Sequence, residues 1–164
     1  MQEPNKPDIV TREGFAAAAA PLERLLLTAG YGVLRDWDAA ADAVQSALLK
    51  AWRGRRSVKD PAKFKAWLVK IVVNESRDIV RRGFATELKE AAAEQPSDPD
   101  VKIDVRRAVD GLSDRYRLPV MLFYYEDMTV ADIAAALKLP RGTVISLLHR
   151  GREQLKKELE DYGR

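Results

Sequence analysis

Ser146, His149, Arg150 and Glu153 fall together on one side of a helix when the chain turns by about 100° per residue, and their tips offer hydrogen-bond donors and acceptors. Val144, Leu148, Gly151 and Leu155 fall together on the opposite, apolar side. A helix built this way can lay its polar face on base edges or phosphates in a major groove, where arginine is the commonest reader of guanine. The same pattern also fits the solvated face of an ordinary helical hairpin. A second set lies upstream: Lys70, Asn74, Arg77 and Arg81 follow one another at spacings of four, three and four, with Trp67 at their border. The stripe opens from a loop holding Arg53, Arg55, Arg56 and Lys59. Cations beside an aromatic suit a single nucleic-acid strand, since the charges hold phosphates and ring faces or pockets take unstacked bases. Here too a solubilising face over a core tryptophan is the ordinary alternative. Neither set is catalytic. His149 has no second histidine or cysteine with which to hold a metal, Glu126 and Asp127 read as a helix-ending turn, and no nucleophile, base and oxyanion donor come together.

The elements that must position these groups follow from apolar spacing. Val130, Ile133, Ala134 and Leu137 recur at i, i+3, i+4 and i+7, with Thr129 as cap and Asp132 three residues on. Lys138, Leu139 and Pro140 break that pattern, and the next helix starts near Arg141, which makes a helix-turn-helix. Ahead of it, Leu118, Met121, Leu122 and Tyr125 give a supporting helix one apolar face, preceded by another over Ile103 to Leu112. In the first half, Thr11 caps a helix through the alanine run, Pro21 ends or restarts it, and Leu22, Leu25, Leu26 and Ala29 continue its apolar face. Asp36 to Trp52 is amphipathic, with Val44, Ala47, Leu48 and Ala51 inward and Asp42, Gln45 and Lys50 outward. Asp60 and Pro61 start the helix that carries the basic stripe, whose core face is Phe64, Trp67, Leu68, Ile71 and Val72. Trp37, Trp52 and Trp67 are read as core anchors rather than base stackers. The expectation is an all-α chain of two small helical domains: a mobile lead at 1–11, one domain at 12–85, a flexible acidic linker at 86–102, and a helix-turn-helix domain at 103–164.

Composition narrows the classes. Among 164 residues 46% are apolar, enough for packed cores, and 28 basic residues against 25 acidic leave a net charge of only +3. Any nucleic-acid affinity must then come from local clusters. Cysteine is absent and histidine occurs once, which removes disulfides and thiolate zinc sites and implies no metal or cofactor. No apolar run approaches the roughly 20 residues that cross a bilayer, and the first residues lack a signal peptide's apolar centre, so a cytoplasmic protein without membrane insertion is expected.

In order along the chain, DAVQSALLKAW at 42–52, FKAWLVKIVVN at 64–74, LSDRYRLPVMLFYYEDMTVADIA at 112–134 and GTVISLLHRGREQLKKEL at 142–159 resemble a bacterial RNA polymerase sigma factor of the extracytoplasmic-function (ECF) class. The resemblance implies a subunit, not an enzyme, that binds core RNA polymerase and promoter DNA, with no small-molecule substrate and with an anti-sigma inhibitor as a further partner. It implies that Asp42 and Gln45 meet the polymerase, with Val44 packing beneath. The minus-ten strand would be held by Lys59, Lys70, Asn74, Arg77 and Arg81, and the minus-thirty-five duplex read by Arg141, Thr143, Ser146, His149 and Arg150. Four positions depart from the family pattern. Ile145 and Leu147 stand where a basic residue is usual and are expected to widen the buried stripe, and Ala41 and Ser46 stand where carboxylates are usual. The residues alone also fit a helix-turn-helix regulator whose first half binds some other protein, or a purely structural or protein-binding helical module.

Overall fold

Thr11, Asp36, Asp60 and Thr129 each turn a side-chain oxygen onto a backbone N–H two or three residues on, at 3.0, 3.0, 3.0 and 3.1 Å. These caps satisfy donors that a helix start leaves without partners. The computed structural model describes residues 7–83 and 103–162, and among them every regular element is helical. Helix α1 is Arg12–Ala19, and a 3₁₀ turn at Ala20–Leu22, opened by Pro21, leads into α2, Glu23–Leu34. Helix α3 is Trp37–Gly54 and α4 is Phe64–Gly83, joined by two 3₁₀ turns. The second unit holds α5 (Ile103–Asp110), α6 (Asp114–Tyr124), α7 (Val130–Leu137) and α8 (Arg141–Tyr162).

The expected linker at 86–102 and residues 1–6 of the expected lead lie outside the described residues. The rest of that lead is tied down: the Thr11 hydroxyl donates to the Asp8 carbonyl at 3.0 Å, Arg55 Nε donates to the Val10 carbonyl at 2.7 Å, and Ile9 packs on the core. Lys138 closes α7 in the left-handed conformation with φ 53°, and the Leu139 N–H reaches back to the Ala134 carbonyl at 3.0 Å. That six-to-one closure, followed by Pro140, sets the turn between the two helices of the motif. Helix α8 continues to Tyr162.

Helices α2, α3 and α4 pack on one another around Leu26, Ala29, Val44, Ala47, Leu68, Val69 and Val72. Each leucine or valine among them contributes about 1.5–3 kcal/mol by leaving water. In the second unit α8 crosses α6 at Gly151, where an added Cβ would stand 2.7 Å from Val120 Cγ2. The missing side chain is what allows that crossing.

The two units also pack on each other, α2 against α6 and α4 against α7, and one hydrophobic cluster runs through both. At its centre Arg117, 1% exposed, donates to the carbonyls of Gly32 at 3.3 Å and Leu112 at 2.8 Å and pairs with Asp114 at 2.8 Å. Tyr31 donates its hydroxyl to Asp110 at 2.8 Å, and Arg35 donates to the Asp110 carbonyl at 2.7 Å. Thr28 and Arg24 both donate to one oxygen of Glu126, at 2.8 and 3.2 Å.

Candidate nucleic-acid interface

Helix α8 buries Val144, Leu148 and Gly151 and leaves Arg141, Thr143, Ser146, His149 and Arg150 exposed. The five residues form one open surface over the first three turns, and their side chains make no hydrogen bond or ion pair among the described residues. A turn further on, Arg152 donates to the Tyr124 hydroxyl at 3.2 Å, so that cation is held at the edge of α6. Helix α7 braces the motif from behind, with Ile133 and Leu137 buried. This geometry presents uncommitted donors on a fixed rod, which is what groove recognition needs. Leu147 is half-buried, as expected of a residue widening the apolar stripe, but Ile145 is not: it stands 56% exposed among the polar residues. Its place, a quarter turn from the centre of the stripe, lies past the cover of α6 and α7.

On α4, Asn74, Arg77 and Arg81 are exposed and Lys70 is half-buried, while Lys59 is exposed in the preceding loop. Arg81 is engaged by Asp78 on its own helix, leaving Asn74 and Arg77 as the uncommitted tips of the stripe. Glu75 lies buried beside them, its carboxylate met by Lys50 of α3. That pairing answers for the expected solvent-facing lysine and keeps the buried charge compensated. The loop cations divide. Arg53 and Arg56 are exposed, whereas Arg55 lies 3.6 Å over the Trp52 ring and donates to two backbone carbonyls, which makes it a structural clamp. Trp52 meets Phe15 edge-on at 5.5 Å, and Trp37 stacks on Tyr31 at 4.2 Å. Both serve as anchors, and Trp67 is half-buried against Phe64.

On α3, Asp42 and Gln45 are exposed and Val44 is buried beneath them. Beside them runs an apolar groove of about 500 Å³ between α1, α2 and α3, lined by Phe15, Ala19, Leu26, Ala41, Val44 and Leu48, with Gln45 and Glu23 also on its walls. Leu49, 60% exposed, extends this surface along α3. Sequence reasoning missed Leu49, although its spacing of seven from Asp42 and four from Gln45 puts it on their face. It also missed the contacts between the units. Burial there, reinforced by the hydrogen bond to Asp110, pushes the Tyr31 phenol from 10.0 up to about 12, and burial likewise raises Tyr125.

The family model for Sigma-70 region 2 matches residues 19–83, and that for Sigma-70 region 4 matches residues 102–155. The RNA polymerase sigma-E factor of Streptomyces antibioticus is 30% identical over 144 residues, covering 82% of this chain and 78% of that protein. The chain belongs to the sigma-70 family, in its ECF class. The ECF RNA polymerase sigma factor SigW of Bacillus subtilis is 28% identical over 151 residues, covering 80% and 81% of the two chains. A solved structure of the sigma factor RpoE from Bartonella quintana, in complex with the anti-sigma factor NepR, superimposes with a TM-score of 0.80 at 26% identity. That match takes in 90% of this sigma factor and 98% of RpoE, so it includes residues of both units in a single superposition. Region 2 of the sigma factor thus carries the α4 stripe and the α3 face, and region 4 carries the helix-turn-helix.

Proposed function

We propose that this sigma factor, a transcription initiation factor, docks on core RNA polymerase through Asp42, Gln45 and the apolar surface running to Leu49. In this reading Lys59, Lys70, Asn74, Arg77 and Arg81 hold the opened minus-ten strand, and Arg141, Thr143, Ser146, His149 and Arg150 read the minus-thirty-five duplex. One observation carries the assignment: two open polar faces sit on separate units, one beside a half-buried tryptophan and one on the exposed side of α8. A base can be captured only where strands have parted, whereas a helix reads edges in an intact groove. Bond formation belongs to the polymerase, and the sigma factor supplies position. The cytoplasm, where polymerase and promoter are found, is its place of action, and no helix among the described residues is long and apolar enough to cross a membrane. An anti-sigma protein is its further partner, by likeness to the RpoE complex with NepR.

Transcription from a promoter pool tests the reading. The purified chain added to core polymerase is expected to yield transcripts from specific start sites. Duplex binding by the chain alone, with core polymerase left undirected, would mark a helix-turn-helix regulator instead.

A further inference from the structure

Ile145 is the one large aliphatic side chain on the open face of the first turns of α8, and it is 56% exposed there. Its neighbours one turn away are Arg141 and Gly142 on one side and His149 on the other, with Ser146 alongside. Gly142 has open space around it, a Cβ there meeting nothing within 4 Å, so no packing demand accounts for the lack of a side chain. The bare glycine leaves the approach to Ile145 clear. Between residues 141 and 156 the helix carries four cations, Arg141, Arg150, Arg152 and Lys156, against the single carboxylate of Glu153. That charge selects a polyanion as the occupant, and an isolated aliphatic group among cations is too small to anchor a protein interface.

We propose that Ile145 reads the C5-methyl group of a thymine in the minus-thirty-five duplex. The major-groove edge of an adenine–thymine pair differs from the other pairs partly by that methyl, and an apolar side chain is what recognises it. Cytosine at the same place presents an amino donor, which an isoleucine can bury but not satisfy, so the contact discriminates as well as attracts. Arg141 lies one turn before it and Arg150 further along the exposed side of the helix, which suits guanine edges or the flanking phosphates. This inference rests on the helix-turn-helix reading of promoter duplex set out above and adds the identity of one base.

The test uses the full chain with core polymerase. Promoters randomised across the minus-thirty-five element are selected by transcription, and the winner is remade with deoxyuridine at each thymine in turn, which removes the methyl and keeps every hydrogen bond. At one position the loss is expected to weaken binding about fourfold, the effect of exposing one methyl-sized group. Ile145→Ala is expected to abolish that sensitivity while leaving the salt dependence as it was, since no cation has changed. A winning element without thymine, methyl removal with no effect, or an equal effect in Ile145→Ala overturns the role of Ile145 and leaves promoter reading standing. A pool in which nothing is enriched overturns promoter reading itself, and this inference with it. The exposed position keeps the substitution out of the core, and an unchanged melting temperature for Ile145→Ala checks that.

Discussion

The side chains of Arg150 and Asn74 are exposed and make no hydrogen bond among the described residues, so under the proposed reading their loss is expected to fall on DNA and not on folding. Arg150→Ala is expected to weaken the selected minus-thirty-five duplex by about 1–3 kcal/mol, the worth of one two-pronged base contact. Arg150→Lys should recover little of it, because an ammonium cannot form the paired bonds of a guanidinium. Competition binding with duplexes varied one pair at a time measures both. Tyr31 gives a different kind of prediction. Its phenol ionises near 12 in place of 10.0 because it is withdrawn from water and donates to Asp110. The neutral form is therefore favoured by the folded state, and the bond's contribution is complete below pH 10.0 and lost as pH rises through about 12. Ultraviolet titration of the phenols should show late ionisation from both Tyr31 and Tyr125, and Tyr31→Phe should remove the part that belongs to Tyr31. Asn74 and Arg150 were legible because helical spacing places them on open faces. Arg117 was not, since its carbonyl partner at Gly32 lies 85 residues away and nothing local distinguishes it from a surface arginine.

At the scale of the elements, caps and breaks decided most of what the spacing could say. Thr129, Lys138 and Pro140 bound α7 and the turn as read, because each acts on backbone groups within a few residues. The position of Gly151 on the buried stripe was equally local, but its closeness to Val120 needed the second helix. Gly151→Ala is expected to lower stability by about 1–3 kcal/mol through overpacking, even though alanine favours the helix itself. A rise in melting temperature instead would mean that α6 and α8 can part without cost. Ile145 marks the limit of reasoning from a helical wheel. A residue at the flank of the stripe is buried or open according to how far the supporting helices reach, and here they stop short of it.

The whole molecule poses a problem of reach. A folded chain of 164 residues has a radius of gyration of roughly 15 Å, so it is about 40 Å across. Elements named for positions minus-ten and minus-thirty-five are centred about 25 base pairs apart, roughly 85 Å along B-form duplex. With α2 packed on α6, one compact body cannot attend to both, so the units are expected to separate on the promoter. Because the chain has no cysteine, Ala17→Cys and Glu160→Cys provide two exposed labelling sites on α1 and α8. Energy transfer between dyes there should fall when the polymerase–promoter complex forms. Unchanged transfer in a complex that transcribes would contradict separation. Arg117→Met should lower transfer in the free protein, since the bond to Gly32 is gone. The faces uncovered by such a movement would present a guanidinium, a phenol, a threonine hydroxyl and two carboxylates beside their hydrocarbon. Water can take over each of those bonds, so the seam is one the protein can undo and remake without its opened halves clinging to other copies.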